Sequence, residues 1–354
     1  MASRSTSAVF LGLLAASGAA CGPAPLPPPG SYSEVALIVT GGATGEVGAS
    51  LRRALEREQD FFVAVEPLFR TTVLGEADAA AAPPVKNVIV CAVPDPATAL
   101  GRRVIDTIGE DDAARVRRGD VHVLARENHP SAGQVTLVVT AANDGDLRRV
   151  VGERADEIVA ALERSCRERL RAAFRREGTA AVRGNGYRAE VPRVYRRYAL
   201  AGDSAGVEFR REGPPRVLAV FARAWRGVPS PENADSLFAW RAAVAARCYD
   251  GDRMDRARAR FEPARFAGTG AVRMCGYWFN DRRRPAGGYF ETYFVADEAL
   301  GRLWAVDLVV YAPGREKAPL VRELRAIAET FRFPGGTIGT VGAHSEERPT
   351  DVTD

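Results

Sequence analysis

EVALIVTGGATGEVGASLRRAL, residues 34–55, places an apolar run, a glycine-rich turn and a helix-like period in direct succession. Glu34 to Thr40 reads as a strand, and Gly45 to Glu58 as a helix with Val47, Leu51, Ala54 and Leu55 on one face. Outward from it, extended segments are predicted at Phe61 to Val65 and Leu68 to Leu74, then a buried strand at Asn87 to Val93 bounded by Pro94 and Pro96. Ala97 to Ile108 has a helical pattern, and Val121 to Arg126 and Gln134 to Ala141 form a strand pair joined by a longer loop, Glu127 to Gly133. Asp144 to Glu177 is helical by period, its apolar members Leu147, Val151, Ala155, Ile158, Leu162, Cys166 and Leu170 falling mostly four apart. Strands and helices mixed in this way predict an α+β domain over residues 34–178.

Gly184 to Gly186 punctuates the chain, and the order of elements then changes. Strand-like runs at Tyr187 to Tyr198, Gly206 to Arg211 and Arg216 to Arg223 precede one helix, Ala234 to Tyr249, with Asn233 as its expected cap. Strands are predicted at Val272 to Phe279, Gly288 to Val295 and Arg302 to Tyr311, and a last helix at Pro319 to Thr330. In Leu303 to Tyr311 only Asp307 interrupts the apolar run, as in a central strand. The fold class expected is α+β, with two domains (34–178 and 186–333), each an antiparallel or mixed sheet with flanking helices. The polar tail 334–354 is expected to be disordered.

The N-terminus carries an address. Arg4, the apolar stretch Val9 to Ala16 and the small residues Ser17 to Ala20 have the parts of an export signal, residues 1–20, and Cys21 follows them. The pattern resembles a bacterial lipobox, in which a cysteine at that place accepts lipid, although Gly18 stands where the usual pattern has Leu. The proline-rich stretch to Ser33 reads as an extended tether, residues 21–33. A lipid on Cys21 implies a membrane-anchored envelope protein, and by resemblance to the sorting rules of double-membraned bacteria the lack of aspartate after Cys21 implies the periplasm-facing outer membrane.

The chain's 354 residues, 46% hydrophobic and 27% charged, suit two folded domains with tails and exclude a mostly disordered or collagen-like chain. A net charge of +4 from 49 basic and 45 acidic residues gives no basis for nucleic acid as a partner. Ala8 to Ala20 is too short to span a bilayer, which needs roughly 20 residues. Beyond Cys21 the cysteines are even in number, and Cys91 with Cys166 and Cys248 with Cys275 allow one disulfide per domain. The competing reading is four small buried hydrophobes, since Cys166 and Cys248 continue apolar helical stripes.

The sharpest motif is Gly42-Ala43-Thr44-Gly45-Glu46-Val47-Gly48. It resembles the turn of short-chain dehydrogenases, where glycines let the backbone approach a pyrophosphate and a helix start stabilises its charge. Glu66 sits where a ribose-binding acid is sought. Against it, no Tyr-x-x-x-Lys pair occurs, Tyr249 being followed at that spacing by Arg253, and the predicted hairpin interrupts alternating parallel units. The reading taken is a glycine-rich loop leading into an ordinary helix, with no cofactor. His122, His129 and His344 have no metal-ligand spacing, and no metal site is expected. Asp250, Asp252 and Asp255 read as a solvated turn, as do Arg282, Arg283 and Arg284 beside Pro285. Trp225, Trp278 and Trp304 read as core, with a ligand pocket against the aromatic strands as the alternative.

With this layout, the segments Gly45 to Arg52, Lys86 to Val90, Ala132 to Val135 and Leu320 to Leu324 resemble the bacterial lipoproteins of the family termed domain of unknown function 4837. That resemblance implies an envelope lipoprotein and assigns no catalytic or ligand-binding residue. The second half also resembles, in order of elements, the PsbP-like α/β/α sandwich, an analogy of fold that does not fix function. The function expected is a non-enzymatic binding or assembly module, anchored through Cys21 and serving an envelope partner. The alternative is an enzyme, either an NAD(P)-dependent oxidoreductase using Gly42, Gly45 and Gly48 or an envelope hydrolase.

Overall fold

A computed structural model describes residues 31–333 except 43–44, 79–84, 121, 130, 185, 201–205 and 282–285. The export signal, Cys21, most of the tether, the tail with His344, and Arg282 to Arg284 lie outside the described residues. The described chain divides into two compact units, neither contiguous in sequence: one takes residues up to Asp60 with Ala64–Ala173 and Glu316–Glu323, the other Phe61–Val63, Phe174–Arg315 and the remainder.

In the first unit the elements run β1 (Glu34–Val39), α1 (Glu46–Leu55), β2 (Glu58–Asp60), β3 (Val65–Pro67), β4 (Arg70–Leu74), β5 (Asn87–Cys91), α2 (Ala99–Ile108), α3 (Glu110–Arg117), β6 (Val123–Glu127), β7 (Val135–Val139) and α4 (Asp144–Glu177). The sheet order is β4-β1-β5-β7-β6. β4, β1, β5 and β7 are parallel, and β6 closes the edge antiparallel to β7. The predicted hairpin is therefore present, but on a mainly parallel sheet. Val35, Leu37 and Val39 face α1 and α4 through Leu51, Leu55, Val151 and Ile158. Ala36 and Ile38 face the other way, onto Leu100, Val104 and Val116 of α2 and α3. Both faces are covered, which is why the strands read as continuous apolar runs without alternation.

Two local expectations change. Phe61 to Val65 is not a strand: Phe62 adopts φ +63°, and the chain turns so that β2 pairs with β3 as a short hairpin. α3 escapes the pattern because only Ala113, Val116 and Asp112 of its eight residues are buried, too few to mark a stripe.

The second unit contains β8 (Thr179–Gly184), β9 (Tyr187–Pro192), β10 (Arg196–Ala199), β11 (Val207–Arg211), β12 (Arg216–Ala224), α5 (Ala234–Cys248), β13 (Arg253–Met254), β14 (Arg260–Phe266), β15 (Thr269–Asn280), β16 (Ala286–Asp297) and β17 (Arg302–Val310). α6 (Ala318–Ala328) follows, its residues from Leu324 grouped with this unit. An antiparallel sheet runs β10-β11-β12-β17-β16-β15-β13, with β14 also on β15. α5 packs Leu237, Val244 and Ala245 on one face of this sheet, against Phe221, Phe290, Phe294 and Ala305. Central β17 is where Asp307 was expected, and the carboxylate is fully buried, accepting from Arg241 Nε and Nη2 of α5 at 3.2 and 2.9 Å. The fold is α+β in both units, mixed in the first and antiparallel in the second.

Two outcomes follow for stability. A Cβ on Gly48 would stand 2.6 Å from the Gly42 carbonyl oxygen and 3.1 Å from Val39, so Gly48→Ala should cost about 1–3 kcal/mol in denaturant unfolding, overriding the helix preference for alanine. Arg241→Leu should cost about 3–5 kcal/mol by stranding a buried carboxylate, and the double change with Asp307→Leu should recover part of that loss.

Candidate functional site

α5 starts after a short 3-10 turn, Pro231–Asn233, in which Ser230 and Asn233 cap each other. Asn233 thus caps as expected in position, but its side chain serves the preceding turn and makes no cap bond to α5. At the other end, Tyr249 closes the helix, and Asp250 and Gly251 take left-handed φ values of +54° and +82° that reverse the chain. β13 then pairs with Phe279 and Trp278 of β15, so Asp252 is brought back beneath the helix terminus.

This reversal leaves a cleft of about 930 Å³ at the C-terminal end of α5. Val217, Val309 and Ala286 from three strands form an apolar wall, and Trp278 and Tyr311, with ring centroids 5.9 Å apart, form an aromatic one. Asp250, Asp252, Asn280 and Arg210 supply the polar rim. The Asn280 amide donates to Asp252 Oδ1 and to the Asp250 carbonyl oxygen, both at 3.0 Å. The Trp278 indole N–H is buried and has no hydrogen-bond partner among the described residues.

Burial raises the Asp252 carboxyl to about pH 6, against the lowering effects of the Asn280 hydrogen bond and the more distant Arg241 and Arg210. Both arginines are already committed: Arg241 to Asp307, and Arg210 to Glu208 at 2.6 Å. Elsewhere in this unit a second buried carboxylate behaves in the opposite way. Glu291 is held down to about pH 2 although burial opposes it, because Arg325 binds it through two nitrogens at 3.0 and 2.6 Å, Arg273 lies near, and the Tyr289 and Tyr293 hydroxyls donate to it.

The glycine turn lies at the carboxyl end of β1, with β4 on one side and β5 on the other. That is the switch point at which open α/β sheets bind ligands. The acid the sequence offered for a ribose is already engaged. Glu66 is spent on α6: its carboxylate accepts from the backbone N–H of Lys317 at 2.9 and 2.7 Å and of Ala318 at 2.9 Å. The acid beyond the second parallel strand is Glu76, unmarked in the sequence, and it accepts from Leu100 N at 3.0 Å, placing negative charge at the start of α2. Gly42 has φ +62° and Gly48 lies against its carbonyl, so the turn's own packing accounts for these glycines. Ala43 and Thr44 lie outside the described residues.

No disulfide joins Cys91 to Cys166 or Cys248 to Cys275, and the Cys166 thiol donates to Asn87 Oδ1 at 3.3 Å. Among the described residues no group of His, Cys, Asp and Glu is arranged to hold a metal ion. Of the tryptophans singled out in the sequence, Trp304 is core, packed on Tyr187 and Phe333, and Trp278 lines the cleft. The aspartates separate likewise: Asp255 caps a 3-10 turn by accepting from Ala257 N, Asp250 is exposed, and Asp252 is buried in the cleft wall. The solvated-turn reading is therefore corrected for Asp252. Asn280 and Arg210 escaped the sequence reading because neither has a functional neighbour along the chain.

Residues 227–330 match the family described as Domain of unknown function (DUF4837). The match covers α5, Asp250, Asp252, Trp278, Asn280 and Ala286 of the cleft, and of the four segments that carried the resemblance it includes only Leu320 to Leu324. No curated protein matches the chain.

A carboxyl raised above its unfolded value of 3.8 costs folding stability once ionised: the cost is absent below about pH 4 and complete above about pH 6. Asp252→Asn keeps an acceptor for Asn280, so it should stabilise the protein by about 1–3 kcal/mol at pH 7.5 and have little effect at pH 4. Thermal unfolding at the two pH values checks the sign.

Proposed function

We propose that this protein is a small-molecule binding module of the bacterial cell envelope, anchored through a lipid on Cys21 and binding its ligand in the cleft at the end of α5. The observation that carries the reading is the cleft itself. It is large enough for a small molecule, walled by apolar and aromatic groups, and rimmed by a few convergent polar ones. The lipobox-like sequence, ending at Cys21 and followed by a proline-rich tether, supports the anchor. A carboxyl near pH 6 also suits a general base, but the described residues lining the cleft include no serine, cysteine, lysine or histidine to act beside it. Binding without turnover is the role these groups support.

Tryptophan fluorescence across a panel of cationic, neutral and anionic small aromatics tests the cleft. A saturable change that is lost in Trp278→Phe and kept in Trp225→Phe is expected; no saturable change with any class would overturn the reading. Anchoring is tested separately by fatty-acid labelling in a bacterial host, with label expected on the native chain and absent from Cys21→Ser. An unlabelled native chain would refute the anchor.

A further inference from the structure

We propose that the cleft at the end of α5 is a site for an organic cation, an ammonium group carried on an apolar body. This deepens the reading just given and rests on it. Four features of the same cleft converge on positive charge. Asp252, 9% exposed, and Asp250 both line it, and neither has an ion-pair partner among the described residues. The two arginines nearest Asp252 do not neutralise the pair, since Arg210 is bound by Glu208 and Arg241 by Asp307. The cleft opens at the C-terminus of a 15-residue helix, the end that carries partial negative charge. Two aromatic side chains, Trp278 and Tyr311, line it, and aromatic rings attract cations.

An anionic ligand would face all four features unfavourably, and a neutral one would leave the buried Asp252 carboxylate with the Asn280 hydrogen bond and no countercharge. A cation supplies the missing countercharge while the apolar wall of Val217, Ala286 and Val309 takes its body. The same site should therefore respond to pH. The titratable and charged groups facing Asp252 are Asp250 on the same turn, Arg241 on α5 and Arg210 on β11, with Asn280 on β15 as its hydrogen-bond donor. Glu208, behind Arg210, is also raised by burial.

The test is calorimetric titration of the full chain with benzyltrimethylammonium, whose charge does not change with pH, beside phenylacetate and benzyl alcohol. At pH 7.5 the cation should bind at least tenfold more tightly than either. Its affinity should fall about tenfold at pH 5.0, where an Asp252 carboxyl titrating near 6 is mostly protonated. Asp252→Asn, which leaves Glu208 in place, should weaken the cation at pH 7.5 and abolish the pH step, while Trp278→Phe should weaken it at both pH values. Equal or tighter binding of phenylacetate or benzyl alcohol overturns the cation assignment and leaves the cleft reading standing. So does a cation affinity that is flat between the two pH values, a result that needs no variant to fold. Failure of all three probes, together with a silent fluorescence panel, overturns both.

Discussion

The second unit depends on one contact, the ion pair between Arg241 and Asp307, buried in the middle of helix and sheet. Asp307 also accepts from Thr292 at 2.6 Å, and the Arg241 guanidinium lies 3.9 Å over the Phe290 ring, so the charges are held by a complete local network. Such a pair adds little net stability over a well-packed apolar substitute, because both groups must leave water. Its effect is on register. Sliding α5 by one turn, about 5.4 Å, would strand two charges in the core, so the helix has one permitted position. That position sets where Tyr249 ends the helix and where the Asp250-Gly251 reversal returns the chain, and hence where the cleft opens.

In the first unit, carboxylates at helix starts do comparable work. Glu66 receives two backbone N–H groups at the start of α6, and Glu76 one at the start of α2. Free N–H groups at a helix start are what a phosphate would seek. At these two helices the chain satisfies some of them with its own anions, which also repel an incoming one. A mainly parallel sheet with a glycine turn at its switch point therefore does not imply a nucleotide site. The glycines answer to a local demand, the close approach of the Gly42 carbonyl to Gly48, that arises wherever a strand turns sharply into a helix packed on it.

The long elements were legible because their physics is local. α4 follows from apolar residues four apart, and β17 from a run broken only by Asp307, whose burial the sequence implied and whose partner it did not reveal. Losses occurred where burial or pairing is set from far away. β14 carries Pro263 and three charged residues along a largely exposed edge, and β8 has only one buried residue, Val182, too weak a signal to mark a strand. The first sheet was expected to be antiparallel or mixed and is mixed; which of its strands run parallel was not legible, because strand direction depends on where crossovers lead. The cleft was least visible. Asp252 and Asn280 meet across 28 residues, and in sequence Asp250, Asp252 and Asp255 are indistinguishable members of one polar turn.

What separates Asp252 from a structural carboxylate is the comparison with Glu291. Both are buried in the same unit. Glu291 is surrounded by two arginines and two tyrosine hydroxyls, and its carboxyl is held near pH 2, so folding gains from its charge. Asp252 has one amide donor and a carboxyl near pH 6, so folding pays for its charge. A chain this rich in arginine has ample means to pair a carboxylate, as Glu291, Asp307 and Glu208 each demonstrate. Asp252 faces open cleft where the others face a guanidinium. A buried charge left uncompensated by the fold is stable only at a cost, and such costs concentrate where a ligand provides the missing partner. By this argument the countercharge for Asp252 lies outside the chain, and the cleft that exposes it gives that countercharge a way in.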